Sequence, residues 1–116
     1  MNLTTPEWAT NETIQTLKDL YETGKDIEAY NDKLKKFSGG PMIHEFLKNV
    51  KAQDTKRNKR KIYLYGGHDI NLAHVQRTLG IKKYFGYPNY GSAIIFEKYR
   101  NSKNHKFVRV NKFSYF

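Results

Sequence analysis

The sequence predicts an α/β fold on three observations. Segments in the first half repeat apolar residues at helical spacing. A short apolar run, Ile62-Tyr63-Leu64-Tyr65, stops at Gly66-Gly67 and is followed by another helical pattern, the order of a strand, a glycine turn and a helix. Near the C-terminus, Ala93 to Tyr99 and Lys106 to Phe113 read as two strands of a hairpin joined by Arg100-Asn101-Ser102-Lys103-Asn104-His105.

Ile14, Leu17, Leu20 and Tyr21 share one face of a helix expected to run to about Gly24. Ile27, Tyr30, Leu34 and Phe37 give a second, more polar helix that ends at Ser38-Gly39-Gly40-Pro41. Pro41 suits the first turn of a third helix, because its missing N–H has no helical acceptor there, and Met42, Ile43, Phe46, Leu47 and Val50 form its apolar stripe. Lys56-Arg57-Asn58-Lys59-Arg60-Lys61 packs five cations into six residues, most simply an exposed loop. Ile62 to Tyr65 has the composition of a strand covered on both faces. Asp69 is placed to cap a helix carrying Leu72, Val75 and Leu79, with Gly80 at its left-handed end. Tyr87-Pro88-Asn89-Tyr90-Gly91 is a turn that leads into the hairpin. A buried strand needs neighbours, and the hairpin supplies only part of them. The spacing therefore implies one section of a larger α/β domain, or a chain that pairs with another.

At 116 residues the chain fits one small domain, and 38% hydrophobic with 15% aromatic residues is too much core-forming material for a disordered polycation. With no cysteine it has no disulfide, thiolate metal site or cysteine nucleophile, so its core rests on packing alone. No apolar run approaches the roughly 20 residues of a bilayer span, and Met1 to Pro6 has neither the basic start nor the apolar stretch of a signal peptide. The expectation is a soluble chain without a visible export signal. Its 21 Lys+Arg against 11 Asp+Glu give +10, which favours an anionic partner: nucleic acid, an anionic membrane surface or a phosphorylated small molecule.

The constellation most suited to chemistry is Gly66-Gly67-His68-Asp69, between a strand end and a helix start. Ligands of open α/β sheets bind there, where glycines admit close approach and free helical N–H groups attract anions. His68 can donate to a phosphoryl oxygen, and Asp69 can protonate a departing alkoxide if its carboxyl titrates above the reference of about 3.9. The plainer account is that Asp69 caps the helix and His68 fills a turn. His44, His74 and His105 read as structural or exposed, and no two histidines have the i, i+4 spacing of a helical metal site. The common P-loop, dinucleotide-binding and serine-hydrolase motifs do not occur. The basic cluster from Lys56 to Lys61 could bind nucleic acid or heparin, but a solvated loop is the simpler account. The sequons Asn2-Leu3-Thr4 and Asn11-Glu12-Thr13 offer Asn2 and Asn11 to glycosylation if the chain enters the secretory pathway.

Four motifs in order carry a resemblance: Thr5-Pro6-Glu7-Trp8-Ala9, Ser38-Gly39-Gly40-Pro41-Met42-Ile43, Tyr63-Leu64-Tyr65-Gly66-Gly67-His68-Asp69, and Pro88-Asn89-Tyr90-Gly91-Ser92-Ala93-Ile94-Ile95-Phe96-Glu97. Together they resemble the C-terminal part of the histidine acid phosphatases, the branch of prostatic, lysosomal and insect venom acid phosphatases. The resemblance implies an α/β section of that family's sheet with flanking helices and a closing β-hairpin, residues 1–116 forming a partial domain. It implies hydrolysis of phosphate monoesters through a phosphohistidine, with Asp69 as proton donor to the leaving alcohol and His68 as phosphate ligand, and without metal or cofactor. It also implies a small-molecule ester rather than nucleic acid, no membrane span, and a secreted or lysosomal glycoprotein, and it allows a homodimer in the complete enzyme. The family's nucleophile lies in an Arg-His-Gly-x-Arg-x-Pro motif, and none of the four histidines here stands between Arg and Gly. The chain alone is therefore expected to be inactive or nearly so. The alternative is a non-catalytic phosphate- or anion-binding protein derived from such an enzyme, and a weaker one is a basic nucleic-acid-binding module. The compartment of this chain stays open.

Overall fold

A computed structural model of the chain describes residues 4–55 and 59–114. The elements run α1 (Asn11–Ile27), α2 (Asp32–Phe37), α3 (Gly40–Asp54), α4 (Asp69–Thr78), α5 (Lys82–Phe85), β1 (Ala93–Arg100) and β2 (Lys106–Phe113). The mixture is α/β as the sequence implies, and the hairpin falls where the alternation put it.

Thr10 caps α1, its Oγ1 accepting the Thr13 N–H at 3.2 Å. Glu12 in the first turn and Lys25 in the last complement the helix dipole. The helix passes through Gly24, an interior glycine costing only about 1 kcal/mol, and its end is clasped by Lys25 and Glu28 at 2.8 Å. The second helix is shorter than its spacing suggests. Ile27 belongs to α1, Tyr30 is exposed, and Asn31 restarts the helix by accepting the Leu34 N–H at 3.0 Å. Pro41 stands in the first turn of α3 as expected.

Helix α4 is the centre of the packing, with Ala73, Val75, Gln76 and Arg77 buried. A Cβ on Gly39 would lie 2.5 Å from both the His74 carbonyl oxygen and Thr78 Oγ1, so the α2–α3 junction touches α4 at a distance that only glycine permits. Charge joins α4 to α1. The buried Arg77 guanidinium meets Glu22 at 2.7 Å and Asp26 at 2.8 Å, and Lys82 meets the same two carboxylates at 3.2 and 2.7 Å. Burial pushes the Asp26 carboxyl up, but hydrogen bonds from Lys82 and Arg77 outweigh it and leave Asp26 below its ordinary value.

The hairpin is antiparallel, with Ala93 opposite Phe113 and Arg100 opposite Lys106. Ile94, Phe96 and Lys98 alternate inward, and the Phe96 ring packs on Phe46 of α3 at 4.9 Å between centroids. At the far end, Asp54 receives Lys98 at 2.5 Å and Lys106 at 2.9 Å.

Two expectations are corrected. Ile62 to Tyr65 is no strand: among the described residues the hairpin is the only sheet, and Ile62 and Leu64 are 75% and 91% exposed. Its pattern is that of a covered strand, but among the described residues no strand pairs with it, and without a ladder it forms no sheet. Asn49 donates to Tyr65 Oη, and Gln53 to the Arg60 carbonyl just before the segment, both at 2.9 Å. Second, the N-cap of α4 is His68 and Asp69 is the first helical residue. Gly80 does adopt the left-handed conformation, with φ 70°.

The chain exposes 9878 Å² and has a radius of gyration of 18.0 Å. A compact domain of this size exposes about 6,600 Å² with a radius of about 13 Å. Its apolar residues are thus largely uncovered, including Leu17 and Leu20 of α1 and Ile95, Tyr99 and Phe113 on the open face of the hairpin.

Candidate active site

His68 and Asp69 sit at the N-terminus of α4, where the first backbone N–H groups lack helical acceptors. The turn is built by Asn71, whose Oδ1 accepts the His68 N–H at 2.8 Å while its own N–H donates to the His68 carbonyl at 3.0 Å. Gly67 lies against this amide: a Cβ there would stand 3.0 Å from Asn71 Oδ1. Both site residues are exposed.

The Asp69 carboxyl is held at both oxygens. Oδ1 accepts the adjacent Ile70 N–H at 2.8 Å, and Oδ2 accepts the Tyr87 hydroxyl at 2.9 Å. Tyr87 Oη in turn shares a short hydrogen bond with Tyr21 Oη of α1, the two rings meeting edge to face at 5.2 Å. Burial, then the bonds to Tyr21 and Asp69, push the Tyr87 hydroxyl far above its ordinary value, so it remains a proton-bearing donor. Sequence reasoning missed both tyrosines. Tyr87 lies 18 residues from Asp69 and 66 from Tyr21, and no local periodicity links them.

The remaining histidines do not join this site. His74 Nε2 bonds Glu28 Oε2 between α4 and the end of α1, a structural place as expected. Hydrogen bonds from Lys25 and then His74 hold the Glu28 carboxyl below its ordinary value. His44 lies exposed on α3, and His105 lies in the hairpin loop, where its N–H donates to Asn101 at 2.8 Å. A cleft of about 370 Å³ lined by Asp26, Tyr30, Lys35, Arg77 and Lys82 opens at the other end of α4, about 15 Å away at 1.5 Å per residue.

Among the described residues no cluster of three or more His, Cys, Asp or Glu could hold a metal ion, and no helix is long and apolar enough to cross a membrane. Asn11 is exposed in the first turn of α1, whereas Asn2 lies outside the described residues, as do Lys56, Arg57 and Asn58 of the basic cluster.

What the arrangement offers is a carboxyl engaged at both oxygens and, next to it in the chain, an imidazole, both residues exposed to solvent. A family model for the histidine phosphatase superfamily (branch 2) matches residues 3–111. The chain is 34% identical to a venom acid phosphatase of Apis mellifera over 93% of its own length and 28% of the relative's. It is 32% identical to the prostatic acid phosphatase of Rattus norvegicus, over 90% and 28%. With the lysosomal acid phosphatase of the same organism it shares 29% identity over 90% and 25%. The chain thus spans about a quarter of the length of these curated relatives. No solved structure matches it.

Proposed function

Since the chain belongs to branch 2 of the histidine phosphatase superfamily, we propose that it supplies the acid side of an active site that hydrolyses phosphate monoesters. The observation that carries this reading is the pair His68 and Asp69 at the head of α4, after Gly66-Gly67, in a chain that matches the family from residue 3 to residue 111.

In the forward step the ester's P–O bond breaks as a phosphorus–nitrogen bond forms to a histidine outside this chain. The bonding electrons leave on the ester oxygen, and the Asp69 carboxyl gives that oxygen its proton, releasing neutral alcohol. In the return step water attacks the phosphorus, its proton passes to the Asp69 carboxylate, and the histidine is freed. His68 donates to one of the phosphoryl oxygens as charge redistributes among them. The substrate is a small phosphate monoester, in the secreted or lysosomal setting that the names of the venom and lysosomal relatives suggest. Residues 1–116 act as part of the domain, and the complete enzyme is a glycoprotein in which Asn11 and Asn2 are the acceptors.

By itself the chain has no acceptor for the phosphoryl group and does not turn over. The test is to assay 4-nitrophenyl phosphate with the chain alone and with the chain joined to the nucleophile-bearing part of a branch 2 phosphatase. Hydrolysis only after joining is expected. Turnover by the chain alone contradicts the inactivity, and phosphate binding without turnover after joining favours the non-catalytic phosphate-binding protein.

A further inference from the structure

We infer that Tyr87, backed by Tyr21, is a positioning residue that fixes the direction of the Asp69 carboxyl. Its importance for turnover rests on the reading of Asp69 as the acid, but its test does not.

An aspartate at the first position of an exposed helix ordinarily samples several staggered rotamers. Here one oxygen is tied to the Ile70 N–H and the other to the Tyr87 hydroxyl, so rotation about Cα–Cβ breaks both bonds. The hydroxyl is a suitable partner for a group that must both give and take a proton, because a phenol donates to a carboxylate and accepts from a carboxylic acid. The Tyr21–Tyr87 hydrogen bond can run in either direction, so the hydroxyl pair can invert when Asp69 changes its protonation. The carboxyl keeps one direction in both halves of the cycle, which is where preorganisation is worth most.

Tyr87 is itself fixed from three sides. Gly86 has φ 60° and ψ −169°, a region essentially closed to side-chain-bearing residues, and turns the chain back toward α4. Pro88 is fully buried, and Lys112 Nζ of β2 donates to the Tyr87 carbonyl at 3.4 Å. The hairpin thus holds the Tyr87 main chain, while α1 meets its hydroxyl through Tyr21.

The test uses the 116-residue chain and the three-bond couplings from Asp69 Cγ to its own backbone nitrogen and carbonyl carbon. The couplings of a single staggered rotamer are expected in the parent chain. Tyr87→Phe, which keeps the ring, should bring them to values averaged over several rotamers. Tyr21→Phe, on the outer side of the relay, should give a smaller change in the same direction, and it serves alone if Tyr87→Phe fails to fold. Averaged couplings in the parent overturn the inference, as do couplings that neither variant changes. Neither result touches the acid role of Asp69. Conversely, an Asp69→Ala enzyme that handles good and poor leaving groups alike removes the acid role and leaves the couplings as they are.

Discussion

Gly39 and the carbonyl oxygen of His74 face each other with no room for a methyl group: a Cβ would stand 2.5 Å from the oxygen. The opposing atom is backbone, which cannot swing aside, and His74 belongs to the helix that carries His68 and Asp69 at its head. Gly39→Ala should therefore destabilise the fold by about 1–3 kcal/mol, the usual cost of overpacking. A urea titration reads this as a lower midpoint with unchanged slope. An unaltered midpoint means that the two helices do not approach as described.

Arg77 ties α4 to α1 through Glu22 and Asp26, with its own side chain only 4% exposed. Arg77→Met leaves the two carboxylates facing each other with Lys82 as their remaining cation. Removing one partner of a fully buried pair costs about 3–5 kcal/mol. The two acids are 30% and 50% exposed, so solvent screens them and about 1–3 kcal/mol is expected. The midpoint of thermal unfolding should fall, and a midpoint equal to the parent's contradicts the role given to the network.

Asp54 joins the hairpin to the end of α3. Hydrogen bonds from Lys98 and then Lys106 lower its carboxyl to about 2. An unfolded aspartate titrates near about 3.9, so the folded state binds the proton more weakly. The stabilisation is complete above about pH 4 and is lost as the pH falls through about 2. Hydrogen exchange in β1 and β2 should therefore accelerate as the pH is lowered across that window, beyond the intrinsic pH dependence of exchange. In Asp54→Asn that extra acceleration should vanish. If it persists unchanged in the variant, the clasp is not what holds the hairpin to the helix.

Much of the fold was legible because it is local. Pro41 in the first turn of α3, the left-handed Gly80 and the alternation of β1 each follow from short-range rules that depend on few distant residues. The strand expected at Ile62 to Tyr65 shows the limit of such rules: composition records what a segment can cover, not whether a neighbour is there to receive its backbone. The cap of α4 was misplaced by one residue because Asp is the commoner cap, while here Asn71 closes the turn on His68. That residues 68 and 69 stand at the head of a helix was readable from the glycines before them. The Tyr87 hydroxyl that meets Asp69, with Tyr21 behind it, was not, because only the packing of α1 against the turn at 86–88 brings the tyrosines together.

The central claim is that Asp69 delivers the proton to the leaving alcohol. It is tested most directly by kcat/KM for alkyl phosphates and for 4-nitrophenyl phosphate, with the chain joined to its nucleophile-bearing part, before and after Asp69→Ala. A good leaving group departs without a proton. The loss should be about 10²–10⁴-fold for the alkyl esters and under about tenfold for the nitrophenyl ester. Equal losses for both contradict the claim.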